Sequence, residues 1–177
     1  MGEWEIRPLR ASDTAGLHTL LHHPAIIAST SYLPSREFGE TANWVQDHKA
    51  GQHRLVVERG GELAGLVLVT EFLNPRLRHT AEITLFVHPD YMAEGAGAVL
   101  LETAVSLADN WLNISRLEIK PLANDEYTIE LCQKAGFVPE GKRHKVLFSN
   151  GRYLDDIIMA RLHNTQALPG NKTPAPP

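Results

Sequence analysis

Apolar residues recur along this chain with two spacings, and the change from one to the other divides it into strands and helices. Alternation and short β-branched runs predict strands over 4–9, 54–58, 63–70, 79–87, 116–120, from 137, and over 145–148 and 153–162. Gly60-Gly61 and Asn150-Gly151 each separate two such runs, which predicts a tight hairpin at both places.

Apolar residues spaced by about 3.6 predict four helices, over 13–23, 36–50, 95–112 and 125–135. The residues expected to face inward include Phe38, Trp44 and Val45 in the second helix and Trp111 in the third. The stretch 25–34 has no clear period and predicts an irregular connection. The third helix joins two strands that should pair in parallel, so we expect an α/β fold with one mixed, twisted sheet of about six to seven strands and helices on both faces.

Composition narrows the class of protein. A chain of 177 residues with 43% hydrophobic residues supports one domain, over 1–163, and the proline-rich composition from 164 predicts a disordered tail over 164–177. The net charge of −4 and the pI of about 6.1 argue against a nucleic-acid partner. A single cysteine, no signal-like start and no membrane-length apolar run predict a cytoplasmic protein without membrane association.

One stretch combines a strand end, a turn and a helix start. The run to Val87 ends at Pro89, and Gly95-Ala96-Gly97 then opens the third helix. Glycines let the backbone approach a ligand, and unpaired N–H groups at a helix start attract anions. Taken alone, the two glycines would as readily serve only to loosen a turn.

Several motifs together carry a resemblance to a known family. They are the stretch 85–91, the glycine turn, the helix end 107–112, the strand 116–119, and the segments 132–137, 140–141, 150–156 and 159–160. Over about residues 3–162 the chain resembles GNAT-type N-acetyltransferases, and the last segments are similar to a bacterial YhhY-type branch that acts on amino acids and other small amines. The resemblance implies a GNAT-like single domain, acetyl-CoA as acetyl donor, a small-molecule amine as acceptor, and no metal. It is also compatible with a homodimer.

The resemblance also implies where acetyl-CoA would bind. Its pyrophosphate would lie on backbone N–H groups of 92–97, and its pantetheine arm beside 83–87, using backbone groups of Phe86 and Val87. The N–H of Phe86 would polarise the thioester carbonyl. The expected cofactor-binding residues are Leu85, Phe86, Val87, Met92, Ala93, Glu94, Gly95, Ala96, Gly97, Ala98, Asn124 and Asp125.

Four positions depart from the family pattern. Met92 replaces a usual Gln or Arg, and Glu94 replaces a basic residue or glycine, where a carboxylate would repel pyrophosphate unless it turned away. Asp125 replaces an Asn, which neighbouring Asn124 would supply with a shift of one residue. Cys132 replaces the Tyr thought to protonate the leaving thiolate. It is therefore a catalytic candidate as a proton donor, although a small apolar residue buried in a helix would instead serve packing.

These departures keep other functions open. A degenerate member would bind acyl-CoA as a sensor or regulatory module without turnover, and a further alternative uses only the fold for interaction. A protein N-terminal acetyltransferase would need an open acceptor groove, whereas 25–34 suggests a covered one.

Acetyl transfer needs a deprotonated amine, and Glu82 is the candidate base, acting directly or through water. It would also hold a substrate ammonium, or simply pair on the surface with a cation such as Arg78. Tyr32 and Ser35 are candidate substrate contacts, because the resemblance places 29–34 over the acceptor, although an ordinary connector explains them equally simply. His18 and His22 share one helix face, but no further ligand completes a metal set.

Overall fold

The computed structural model of the protein describes residues 3–163, so the predicted tail at 164–177 lies outside the described residues. Seven strands form one sheet in the spatial order β1-β2-β3-β4-β5-β7-β6. They are β1 (Glu5–Pro8), β2 (Gln52–Arg59), β3 (Glu62–Glu71), β4 (Thr80–Val87), β5 (Arg116–Ile119), β6 (Val138–Ser149) and β7 (Arg152–Leu162). Only β4 and β5 pair in parallel, as the helical connection between them predicts.

Helices cover both faces of this sheet. They are α1 (Thr14–Leu21), preceded by a 3-10 turn at Ala11–Asp13, α2 (Pro24–Ala28), α3 (Phe38–Gln46), α4 (Pro89–Met92), α5 (Ala96–Asn110) and α6 (Glu126–Lys134). Buried residues of α1, α2 and α3 pack with Phe86 on one face, and those of α5 and α6 pack with Ile83 on the other. The predicted mixed α/β class is therefore confirmed. Within residues 3–163, no helix is long and apolar enough to cross a membrane.

Three details of the prediction are wrong. The stretch 25–34 is not wholly irregular, because Pro24 starts α2 there, with its fixed φ at the first helical position. Phe38 does not face inward. It is 52% exposed, because it is the first residue of α3 and lies outside the part of the helix that packs against the core. Trp111 is 81% exposed, because α5 ends at Asn110 and the apolar face does not continue.

The functional region lies where β4 loses one of its two partner strands. Thr80–Ile83 pair with Arg116–Ile119, and this parallel ladder stops there, so within the described residues β4 continues to Val87 without a partner on its β5 side. Pairing with β3 continues along the whole of this part, from Ala81 to Val87, in an unbroken register. The sheet therefore opens a gap between β4 and β5, with the start of α6 beside it.

Candidate active site

Two connected cavities occupy the gap between β4 and β5. The first, which we call the narrow slot, has a volume of about 60 Å³. Its lining is mostly apolar and consists of Ala25, Ile26, Ser29, Leu85, Phe86, Val87, Met92, Asp125, Tyr127 and Thr128. The second, which we call the charged cavity, has a volume of about 500 Å³ and shares Ser29, Leu85, Phe86, Asp125 and Thr128 with the slot. The shared lining makes them one continuous space.

The free edge of β4 offers backbone groups to this space. His88 N donates to Ala64 O, and Phe72 N donates to Thr80 O, both towards β3. Because N–H and C=O groups alternate sides along a strand, the even-numbered residues of β4 face β3 and the odd-numbered ones face β5. Past Ile83, the groups that face the gap thus belong to Leu85 and Val87. The expectation that Phe86 uses its backbone N–H there is wrong, since that group points to β3.

The two glycines before α5 serve different purposes. Gly95 caps the helix with φ of +87°, a left-handed conformation that side chains other than glycine rarely adopt. Gly97 lies in the first turn and is buried against α6, where an added Cβ would stand 2.4 Å from Tyr127 Oη and 3.1 Å from Leu131 Cδ2. Gly95 therefore shapes the turn, and Gly97 permits α6 to pack closely.

Tyr127 reaches the start of α5 from the next helix. Burial raises the pKa of its phenol, while a hydrogen bond with the Gly97 backbone N–H acts in the opposite direction. The phenol is therefore neutral at physiological pH. Tyr127 was missed in the sequence, because only the packing of α6 on α5 brings it to the glycine turn.

The side chains around the glycine turn do not block the start of α5. Met92 lines the narrow slot, and the side chain of Ala93 is exposed. The Glu94 carboxylate points away from the helix start and forms an ion pair with Arg59, with 2.5 Å between Oε2 and Nη2. Ala96 is buried below the turn, and Ala98 is half-buried. The first N–H groups of α5 have no intrahelical partners, as at any helix start, so those other than the Gly97 N–H, which faces Tyr127, can meet an anion.

The charged cavity holds two opposed ion pairs. Glu82 Oε2 accepts a hydrogen bond from Lys120 Nζ at 2.8 Å, with Glu82 on β4 and Lys120 just after β5. Arg143 binds Asp156 through two contacts, of which Nε to Oδ1 measures 2.9 Å. Asp156 is 4% exposed and its side chain meets Arg143 across the β6–β7 ladder. Together with Asp125, the cavity is lined by three carboxylates and two cations.

Of the three predicted substrate contacts, the structure brings Tyr32 and Glu82 to this cavity but not Ser35. Tyr32 lines it and stacks near Phe86, with 6.1 Å between ring centroids. The Arg36 guanidinium lies 4.5 Å from the centre of the Tyr32 ring. Ser35 is exposed and lines neither the slot nor the charged cavity, because the chain has turned away by that point. We therefore no longer assign Ser35 to the substrate.

The structure places Cys132 in the core, away from both cavities. Its side chain is fully buried, and burial raises the pKa of the thiol to about 12. Such a thiol is a poor nucleophile and a poor proton donor, and without contact to the slot it has nothing to protonate. We therefore withdraw the catalytic assignment and keep the packing role.

Asn124 and Asp125, the two residues near the start of α6 that were expected to bind the cofactor, differ in position. Asp125 lines both cavities and accepts a hydrogen bond from Thr128 N at 3.0 Å, so its carboxylate caps α6. Asn124 is exposed and lines neither of the two cavities.

His18 and His22, which share a helix face, are both engaged in hydrogen bonds. His18 Nδ1 lies 2.9 Å from Thr41 Oγ1, and both ring nitrogens of His22 face backbone carbonyls. Across the described part of the chain, no three His, Cys, Asp or Glu side chains are grouped as they would be for a metal.

Comparison with known proteins places this geometry in context. The family model described as acetyltransferase (GNAT) family matches residues 17–137. The L-amino acid N-acetyltransferase AaaT of Escherichia coli K12 is 25% identical over 162 residues, 92% of this chain and 99% of that protein. The spermidine N(1)-acetyltransferase of Escherichia coli K12 is 28% identical over 172 residues, 96% of this chain and 91% of that protein.

A solved structure shows the same fold. Spermidine N-acetyltransferase from Vibrio cholerae, in complex with CoA and spermine, superposes with a TM-score of 0.80 at 26% identity. The superposition covers 90% of this chain and 95% of that one.

Proposed function

The chain belongs to the acetyltransferase (GNAT) family, and on that basis we propose that it transfers the acetyl group of acetyl-CoA to the primary amine of a small molecule. The observation that carries this proposal is the gap between β4 and β5, which joins the glycine turn to the charged cavity. One end of this space suits an anion and the other suits a charged amine, so donor and acceptor would meet beside Leu85.

The residues along the gap fit acetyl-CoA. Free N–H groups at the start of α5 suit its pyrophosphate, and the unpaired backbone groups of Leu85 and Val87 suit the amides of its pantetheine arm. The narrow slot, at about 60 Å³, lies beside these groups, between α2, the free part of β4 and the start of α6. Met92 and Tyr127 line this path.

Acetyl-CoA, when bound, supplies the activated acetyl group as a thioester. The chain's own residues orient the amine and handle its proton. Glu82 holds the substrate ammonium after the ion pair between Glu82 and Lys120 has opened. Its carboxylate then accepts a proton from the ammonium, directly or through water. The backbone N–H of Leu85 or Val87 is aimed to stabilise negative charge on the acetyl oxygen. Because the Cys132 thiol is buried, it forms no acetyl-enzyme in this proposal, and the amine would attack the thioester carbon directly in a ternary complex. The C–N bond forms, the C–S bond breaks, and CoA leaves as its thiolate.

The charges in the cavity favour a zwitterionic acceptor. Lys120 and Arg143 would bind a carboxylate, and Glu82 would bind the ammonium. A polyamine would draw Glu82 away from Lys120 without supplying an anion for Lys120, whereas an amino acid supplies its own carboxylate. Tyr32 and the residues after α2 cover the cavity, which leaves little room for a protein chain. An amino acid thus suits this site better than spermidine or a protein N-terminus.

The test is a release assay for CoA with acetyl-CoA and a panel of amines. We expect turnover of amino acids and at least about tenfold lower kcat/KM for the corresponding amino-acid amides, which lack the carboxylate. Binding of acetyl-CoA without turnover of any amine would favour the sensor function. Higher kcat/KM for polyamines than for amino acids would contradict the proposed acceptor class, and no binding of acetyl-CoA would contradict the enzyme.

A further inference from the structure

Glu94 immediately precedes the glycine turn, yet its carboxylate is drawn away from the start of α5. Arg59, at the end of β2, contacts it across 2.5 Å. The main-chain carbonyl of Glu94 accepts a hydrogen bond from Trp4 Nε1 at 3.2 Å. Both contacts come from the β1–β2 side of the sheet, whereas the gap lies on the other side of β4.

Arg59 is itself held between two aromatic rings. Its guanidinium carbon lies 4.2 Å from the ring centre of Trp4 and 5.3 Å from that of Tyr91, and the two rings meet edge to face. Tyr91 Oη donates to Glu62 Oε2 at 2.6 Å, and this bond raises the pKa of the Tyr91 phenol, which stays neutral. Trp4, Arg59, Glu62 and Tyr91 form what we call the Arg59 clamp.

We propose that the Arg59 clamp positions the Glu94 carboxylate and keeps it away from the start of α5, where the pyrophosphate of acetyl-CoA would bind. The inference rests on the proposed function, because it assumes that acetyl-CoA binds at the start of α5. A helix start carries partial positive charge and unpaired N–H groups, which attract the nearest anion. Glu94 is two residues from Ala96, so a released carboxylate would compete for those N–H groups and repel the pyrophosphate.

Two features favour binding of the Glu94 carboxylate to Arg59 over binding to the start of α5. Arg59 carries a full charge, touches the carboxylate directly, and has a side chain only 19% exposed. The flanking rings fix the guanidinium by cation–π contacts, which are stronger where water is excluded. The departure at Glu94 is thereby compensated by residues far away in sequence.

Arg59 contacts Glu94 next to the start of α5, so a role as a direct cofactor ligand must be distinguished from the positioning role. If Arg59 acts through Glu94, removing the charge of Glu94 should raise the affinity much more in the Arg59→Ala background than in wild type. A direct ligand would instead give two independent effects on affinity that add.

The experiment measures acetyl-CoA affinity by calorimetry at one fixed ionic strength, with melting curves to confirm folding. The variants are Arg59→Ala, Glu94→Gln, the double variant Arg59→Ala/Glu94→Gln, and the conservative Arg59→Lys. A matched control is Arg161→Ala, because Arg161 is also 19% exposed and binds Asp109 near the other end of α5. We expect Arg59→Ala to weaken binding about tenfold, and the double variant to regain affinity within about twofold of wild type.

Each result decides the inference. Glu94→Gln alone should bind as well as wild type or better, Arg59→Lys should retain most of the affinity, and Arg161→Ala should lose thermal stability without losing affinity. Weak binding by Arg59→Ala that Glu94→Gln does not rescue would overturn the positioning role while leaving the proposed function intact. Unchanged binding by Arg59→Ala would overturn it too, and absence of binding by wild type would overturn both proposals.

Discussion

The proposed role of Glu82 as the base that accepts the proton of the amine can be tested by changing this one side chain. Glu82→Gln keeps the size and the hydrogen-bonding capacity of the residue but removes its ability to accept a proton. We expect kcat/KM for the amine to fall by about a hundredfold, in the usual range for loss of a general base, with acetyl-CoA affinity unchanged. Steady-state kinetics and calorimetry measure the two effects separately.

Glu118→Gln is the matched control for this change. Glu118 lies opposite Glu82 in the parallel ladder and also binds a cation, Arg116, but it does not line the charged cavity. It should leave kcat/KM within about threefold of wild type. Equal losses in the two variants would mean that Glu82 acts through strand packing rather than by proton transfer.

Cys132 gives a second prediction for a single residue. With a thiol pKa near 12 and no exposure, the native protein should not react with a thiol reagent at pH 8, whereas the unfolded protein should react fully. Cys132→Ala should lower the free energy of unfolding by about 1 kcal/mol through the small cavity it leaves. Turnover should stay near that of wild type, and a loss of kcat beyond about tenfold would restore Cys132 as a catalytic candidate.

Single residues of the site were only partly predictable. Glu82 and Tyr32 could be proposed because each lies within one short stretch that the resemblance covers. Lys120, Arg143 and Asp156 could not. Lys120 meets Glu82 through the pairing of β4 with β5, and Arg143 meets Asp156 through the register of β6 with β7. That register includes shifts near Pro139 and Arg143 that no local pattern reveals.

At the level of elements, the packing of α6 on α5 is testable at Gly97. Gly97→Ala places a methyl group 2.4 Å from Tyr127 Oη, so it should lower the free energy of unfolding by about 2 kcal/mol. Adding Tyr127→Phe removes the clashing hydroxyl and should recover part of that loss. Chemical denaturation of the two single variants and the double variant measures the coupling.

Gly95→Ala serves as the comparison, because nothing lies within 4 Å of a Cβ at that position. Its cost should come only from the left-handed backbone, about 1 kcal/mol, and Tyr127→Phe should not alter it. Recovery by Tyr127→Phe in both backgrounds would show that the phenol does not act through contact with Gly97.

Elements with strong local signals were predicted well. The Gly60-Gly61 and Asn150-Gly151 turns fall between β2 and β3 and between β6 and β7, where the turn dipeptides placed them. The five residues of α2 were missed, because a helix that short shows no period and is stabilised by its contacts. Trp111 was misplaced because periodicity shows where a face points and not where the helix ends.

For the whole molecule, the described residues already contain every part of the proposed site. Acetyl-CoA and its acceptor would be held by the gap, by the charged cavity, and by helices α2, α5 and α6, all within residues 3–163. The last described contacts are those of His163, whose N donates to Ser115 O at 2.9 Å and whose Nδ1 lies 3.4 Å from Asp109. We therefore propose 1–163 as the complete catalytic domain.

A pair of truncations tests this boundary. A chain ending at His163 should keep the melting temperature and kcat/KM of the full chain, because it retains all the site and sheet contacts described within residues 3–163. A chain ending at Ala160 loses Arg161, which leaves the Asp109 carboxylate, only 10% exposed, without its bidentate partner. It also loses the pairing of Leu162 with Arg116, so its free energy of unfolding should fall by about 3 kcal/mol or more. A loss of activity in the longer truncation, with its melting temperature unchanged, would show instead that residues 164–177 contribute directly to the site.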